Sequence, residues 1–173
     1  MKKLIALAAA SLLLAGGATR AQSPNDAQIA FIVVTANQVD IDAGKLAESK
    51  ASSADVKAFG KQMVTDHSGV NKQAVALVTR LKVTPEDNAT AKSLKSGGAE
   101  NVARLEKLSG AAFDRAYVDH EVVYHEQVLE ALDKTLIPNA QNAELKALLV
   151  AVRPAFVAHL DHARQIQATL KKG

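Results

Sequence analysis

The chain has 173 residues, 48% of them hydrophobic and only 3% aromatic, with 21 basic and 18 acidic side chains and no cysteine. This length supports one domain with a sizeable core, and that core has to form without disulfides. Lys2, Lys3 and Arg20 lie in the first 21 positions, which contain no acid. The remainder holds 18 basic and 18 acidic residues, and this balance argues against nucleic acid or an anionic membrane as a partner.

The first residues have the order of a secretory signal peptide. Lys2 and Lys3 precede an apolar run over residues 4–15, and small residues then lead to Ala21. The run is shorter than the roughly 20 residues that a membrane-spanning helix needs, and no later stretch comes close. We therefore expect a signal peptide over residues 1–21, a single periplasmic domain over residues 22–173, and no membrane span.

Beyond this segment, apolar residues recur at steps of three and four, which is the period of amphipathic helices. Capping residues, prolines and glycines divide the pattern into five segments. We expect helices at about residues 25–50, 53–81, 85–108, 110–136 and 140–171.

The third segment has both the clearest start and an interruption. Thr84 can cap it, with Pro85 at its first helical position. Gly97 and Gly98 lie near its middle, and each costs about 1 kcal/mol against Ala there, so we expect a bend or a break.

Five amphipathic helices with short links must bury their apolar stripes against one another, which predicts an all-α bundle. The third helix, about 23 residues long, would span roughly 30 Å. As a crossover it would make the second and fourth helices parallel, giving a ferritin-like four-helix bundle with an additional crossover helix. The short links leave simple up-and-down order open as well.

Three histidines lie on the apolar stripes of three different helices: His67, His125 and His159. Each needs a partner, because an unsatisfied buried polar group costs about 1–3 kcal/mol. Imidazoles that converge on a bundle interior are typical of metal sites. Glu121 shares a helix face with His125, and Asp40 can add a carboxylate from the first helix. The predicted ligands of one transition metal, which could be zinc, copper or iron, are therefore these five residues.

A carboxylate-bridged pair of irons is not indicated, because such a site needs Glu-x-x-His on two helices. The residues three positions before the three histidines are Val64, Val122 and Phe156. We therefore predict a single metal, with a role in metal handling or stress tolerance.

Two other functions stay open from the sequence. The histidines could form a purely structural network, in which case the protein is a non-catalytic envelope interaction or stress module. An enzyme with a redox metal is a third possibility. No phosphate-binding loop, nucleophile elbow or cysteine nucleophile is present, so no reaction, substrate, partner or oligomeric state is indicated. His120 and His162 are expected at the edges of the stripes, partly in solvent.

Several stretches together resemble a known family. They are residues 40–47 (DIDAGKLA), residues 59–67 (FGKQMVTDH), residues 113–118 (FDRAYV) with His125, and Pro154 with His159. On these, the chain resembles the exported bacterial family called domain of unknown function 4142, often labelled outer-membrane protein. The resemblance implies a ferritin-like four-helix bundle and periplasmic export, and it implies no settled activity.

Overall fold

The computed structural model describes residues 23–172, and within this range the chain is helical and contains no strand. The predicted all-α class is therefore confirmed, whereas the predicted signal peptide lies outside the described residues. The five long helices are α1 (Asp26–Lys50), α2 (Ala54–Arg80), α3 (Ala89–Glu106), α4 (Gly110–Ala131) and α5 (Ala143–Leu170). Between α4 and α5 the chain forms a π-helical turn (Leu132–Leu136) and a last helical turn (Ile137–Asn139).

The start of α1 is capped as its sequence suggests. The side chain of Asn25 accepts a hydrogen bond from the backbone N–H of Gln28 at 2.8 Å, and the Gln28 side chain accepts one from Asn25 in return. One residue later, the carboxylate of Asp26 accepts bonds from the backbone N–H groups of Gln141 and Asn142. These bonds fix the start of α5 against the start of α1.

The third helix begins later than its sequence predicts. Pro85 does not occupy the first helical position, because α3 begins at Ala89 with Asn88 as its cap. The backbone N–H of Glu86 donates instead to the carbonyl of Ala27, at 3.1 Å. This tertiary bond holds the segment before Asn88 along the start of α1 and out of the helix.

The expected break at Gly97 and Gly98 is wrong, because α3 runs through both residues without interruption. Gly98 is buried against α1, and a Cβ atom there would lie 2.7 Å from the side chain of Val39. The missing side chain therefore allows α3 to pack closely on α1, and this close packing offsets the low helix propensity of glycine.

Contacts at both ends of α3 fix its direction. The ammonium group of Lys50, at the end of α1, donates to the carbonyl of Glu106 at the end of α3. At the other end, Asn88 donates to the carbonyl of Gln28. Because α3 runs alongside α1 in the same direction, it returns the chain to the end where α2 begins. Helices α2 and α4 therefore start at the same end and run in the same direction.

Helices α1 and α2 approach each other closely at Gly44 and Gly60. A Cβ atom on Gly44 would lie 2.8 Å from the carbonyl oxygen of Gly60, and a Cβ on Gly60 would meet Ala47 at the same distance. Asp40 lies one turn before Gly44, and His67 lies two turns after Gly60. The close crossing of the two backbones therefore places Asp40 and His67 side by side.

The core is built mainly from α1, α2, α4 and α5. Among its largest side chains, Phe59, Met63, Phe113 and Leu149 are fully buried. Each such side chain contributes about 1.5–3 kcal/mol of hydrophobic stabilisation. None of the helices in the described part of the chain combines the length and the apolar composition that crossing a membrane requires.

Candidate metal centre

The structure brings all five predicted ligands together in the core. Asp40 comes from α1, His67 from α2, Glu121 and His125 from α4, and His159 from α5. None of them is more than 3% exposed. One nitrogen from each histidine lies within 4.8 Å of the other two, and Asp40, Glu121 and His125 form a second such group. We call these five residues the core cluster; its metal binding stays a prediction.

The three imidazole rings of the core cluster face a common centre. Their centroids lie 5.7 Å apart for His67 and His125, 5.3 Å for His67 and His159, and 5.5 Å for His125 and His159. Phe156 stacks on His67 at 5.1 Å with an angle of 11° between the ring planes. This stacking fixes the plane of the His67 ring.

His67 and His125 each have Nδ1 next to an oxygen acceptor of a neighbouring residue. Nδ1 of His67 lies 2.7 Å from Oδ1 of Asn37, whose amide nitrogen donates to the carbonyl of Val33. Nδ1 of His125 lies 3.0 Å from the backbone carbonyl oxygen of Glu121. Because both partners are acceptors, each Nδ1 carries a proton, and Nε2 of each ring points toward the centre.

His159 is oriented in the same way by Asp66, with the two ring nitrogens exchanged. Its Nε2 lies 2.9 Å from Oδ2 of Asp66, whose side chain is 41% exposed. Nδ1 of His159 is therefore the nitrogen turned inward. Asp66 precedes His67 in sequence, but its carboxylate contacts His159 on another helix. Asp66 and His67 therefore do not act as a dyad.

The inward atoms of the core cluster are buried and form no well-directed hydrogen bond with any described residue. They are Nε2 of His67, Nε2 of His125, Nδ1 of His159, and both carboxyl oxygens of Asp40 and of Glu121. Buried polar groups nearly always have a partner, so seven such atoms in two overlapping groups need an explanation.

The spacing of these atoms suits metal ligands. Oδ2 of Asp40 lies 2.8 Å from Nε2 of His67 and 3.5 Å from Nε2 of His125. Neighbouring ligand atoms around a tetrahedral zinc with bonds of about 2.0–2.1 Å lie about 3.4 Å apart. The distance from Asp40 to His125 is close to that value, whereas the distance from Asp40 to His67 is that of a hydrogen bond or ion pair.

The pKa values follow from burial and from the proximity of two carboxyl groups. Burial, followed by the charge of Asp40, raises the pKa of Glu121 well above its usual value. Burial raises the pKa of Asp40 too, but the charge and the hydrogen bond of a protonated His67, and then the charge of a protonated His125, outweigh burial and hold the pKa below its ordinary value. Burial lowers the pKa of His125 to about 4, so its imidazole is neutral at neutral pH.

Apart from the histidines, no basic side chain balances the acidic charge of the core cluster. Within residues 23–172, no Lys or Arg forms an ion pair with Asp40 or Glu121. A buried carboxylate without a compensating charge is strongly disfavoured. The arrangement therefore favours a bound cation or a retained proton.

The other two histidines lie outside the core cluster, at half-buried positions as the sequence predicts. His120 stacks on the ring of Tyr124, with 5.6 Å between the centroids. Nδ1 of His162 lies 3.2 Å from Oε1 of Gln62. Sequence reasoning missed the partners Asn37 and Asp66, whose positions on α1 and α2 carry no motif that marks them.

Comparison with known proteins places the chain in one family and gives no activity. A family model described as domain of unknown function (DUF4142) matches residues 13–166, a range that includes the whole core cluster. No curated protein and no solved structure matches the chain. Because the family model covers most of the sequence, the chain belongs to the DUF4142 family.

Proposed function

We propose that this protein binds a single transition metal ion between α1, α2, α4 and α5. His67, His125 and His159 supply nitrogen ligands, and Asp40 and Glu121 assist. The observation that carries the proposal is the orientation of the three imidazoles: each has its outer nitrogen held by an acceptor and its inner nitrogen turned to a common centre. Metal-binding histidines have this arrangement almost without exception.

Asp66 and Asn37 would act as outer partners of the metal ligands. By accepting the outer N–H of His159 and His67, they select the tautomer that leaves the inner nitrogen bare. Three nitrogens with one or two carboxylate oxygens suit zinc, copper or iron. Bound there, the ion would supply the positive charge that two buried carboxyl groups lack.

The proposal extends to the fold family and to the location of the protein. Helices α2 and α4 run in the same direction with α3 as the crossover, which supports a ferritin-like four-helix bundle. The order of residues 1–21 supports export to the periplasm. A metal-handling or stress-tolerance role outside the cytoplasm is consistent with both.

One contact favours a second function, a structural module without metal. At 2.8 Å, Nε2 of His67 and Oδ2 of Asp40 are close enough for an ion pair if His67 carries protons on both nitrogens. The histidines would then stabilise the core, and the protein would serve as an envelope interaction or stress module.

Elemental analysis of the full chain, expressed in a bacterium and purified without chelator, separates these two functions. We expect about one equivalent of zinc, copper or iron per chain, and its loss in His67→Ala, His125→Ala and His159→Ala. Less than a tenth of an equivalent, even after incubation of the intact protein with each metal, would contradict the proposal.

His162→Ala is the matched control, because His162 lies on α5 only three residues after His159 but outside the core cluster. It should keep the metal. If an alanine variant loses its helical circular dichroism, the corresponding glutamine variant replaces it, since glutamine retains more of the volume. Metal that survives in all three folded cluster variants would also contradict the assignment.

A further inference from the structure

A cavity of about 210 Å³ reaches the core cluster from one side. Asp40, His67 and His125 line its inner end, whereas Glu121 and His159 do not. Apolar side chains from α1, α4 and α5 form most of the remaining wall. Leu132 and Leu136, at the two ends of the π-helical turn, are among them.

The outer end of the cavity lies between the first turns of α3 and the last turns of α4. Thr90 and Gln127 line it there and are exposed, and Leu94, Val128 and Ala131 are half-buried. The cavity therefore connects the surface with the core cluster. Its wall includes the π-helical turn, an irregularity that is frequent at functional sites.

Two polar side chains of the cavity wall already have partners. The hydroxyl of Tyr124 donates to the carbonyl of Ala36 at 2.8 Å, and both ends of the Asn37 amide are occupied. The buried polar atoms of the described wall that have no well-directed bond belong to the inner end: the Asp40 carboxylate and Nε2 of His67 and His125. All of these atoms are acceptors when the imidazoles are neutral.

We infer that this cavity binds a small uncharged alcohol or phenol, with its apolar body along the wall and its hydroxyl at Asp40, His67 and His125. A hydroxyl can donate to the carboxylate or to a bare imidazole nitrogen, and its oxygen can also approach a metal ion. A carboxylic acid fits less well, because no Lys or Arg lines the described wall and Asp40 would repel an anion.

The volume limits the size of the ligand. A cavity of about 150 Å³ in another protein binds benzene, which has six heavy atoms, so 210 Å³ suits a molecule of about eight or nine. Benzyl alcohol and 4-ethylphenol have this size. The inference goes beyond the proposed metal site and does not require it. Without a metal the hydroxyl donates to the bare acceptors, and with one its oxygen would lie next to the ion.

Isothermal titration of the full chain with benzyl alcohol tests the inference, with toluene and benzoate as matched probes that lack the hydroxyl or add a negative charge. Each titration is run on metal-loaded and on chelator-treated protein. We expect benzyl alcohol to bind at least tenfold more tightly than either probe. Absence of heat and of saturation transfer in NMR for both benzyl alcohol and 4-ethylphenol, up to 10 mM, would overturn the inference.

Two substitutions place the ligand in the cavity. Ala131→Leu, near the opening, and Ala36→Leu, on α1, should each weaken benzyl alcohol binding at least tenfold while the metal content stays unchanged. Ala103→Leu, on the exposed face of α3 and outside the cavity wall, should bind as the wild type does. Binding that persists in both cavity variants would overturn the inference. If elemental analysis finds no metal and benzyl alcohol still binds, the inference stands and the metal proposal fails.

Discussion

Two buried aspartates, Asp114 and Asp40, show how differently the same side chain is used in this protein. Asp114 is 2% exposed and Asp40 is 1% exposed. The oxygens of Asp114 accept bonds from the backbone N–H groups of Ser52 and Ser53, at 3.0 and 2.8 Å, and from the Ser52 hydroxyl. The oxygens of Asp40 accept no well-directed bond from any described residue.

The difference teaches that burial alone does not reveal the role of an acidic residue in this fold. Ser53 is the N-cap of α2 but forms no side-chain cap, so Asp114 caps that helix from α4. Its negative charge also lies where the dipole of α2 favours it. Asp40 lies in the middle of α1, where every backbone N–H is already used, and its neighbours are imidazoles. One aspartate completes the fold, and the other is positioned for a ligand.

The largest effect on stability is expected for Asp114→Ala. The variant removes three hydrogen bonds to a charged acceptor and should lower the free energy of unfolding by about 3 kcal/mol. Urea denaturation followed by circular dichroism measures this change, and metal content should stay at the wild-type level. Asp55→Ala, an exposed acid in the first turn of α2, is the control for the dipole alone and should cost no more than about 1 kcal/mol.

Asp40→Asn should show the opposite balance. We expect the free energy of unfolding of the chelator-treated protein to fall less than in Asp114→Ala, because the cost of burying the carboxylate offsets part of its attraction to the histidines. Zinc affinity, measured by competition with a chromophoric chelator, should fall about 100-fold or more. Removal of a residue that only orients a metal ligand costs about 10- to 100-fold, and Asp40 is itself a proposed ligand.

If Asp40→Asn destabilised the chelator-treated protein as much as Asp114→Ala does, the two aspartates would be alike. The structural network would then replace the metal centre as the explanation of the core cluster.

The five-helix pattern could be predicted from the sequence, because helical periodicity and caps are local. The errors arose where tertiary contacts override local signals. Pro85 is a good first helical residue, but the bond from Glu86 to Ala27 delays α3 until Ala89. The π-helical turn at Leu132–Leu136 has no local signal, since its residues fit the same apolar heptad as the rest of the helix.

The core cluster could be predicted because polar residues on apolar stripes stand out. Asp66 and Asn37 could not, since pairing Asp66 with His159 requires knowing how α2 and α5 pack. The cavity could not be predicted either. It depends on the distance between α3 and α4 near Thr90 and Gln127, and the sequence pattern carries no information about that distance.

Replacing Glu121, the other acid of the core cluster, by glutamine should change how stability depends on pH. Burial and the charge of Asp40 raise the pKa of Glu121 above 4.5 in the folded protein. Below pH 4.5 the residue is protonated in both states and its stabilising contribution is complete. As the pH rises, the unfolded chain releases the proton first, and that contribution is lost.

His125 acts in the opposite direction, because burial lowers its pKa from 6.5 to about 4. Stability therefore falls as the pH drops from 6.5 toward 4, in the variant as in the wild type. Urea denaturation of chelator-treated Glu121→Gln should show a stability relative to wild type that increases as the pH rises above 4.5. Glu48→Gln, an exposed acid on α1, should give a curve parallel to that of the wild type. A Glu121→Gln curve that is also parallel would mean that Glu121 is ionised in the folded core. Asp40 and Glu121 would then place two negative charges there, whereas a pair that shares one proton places only one.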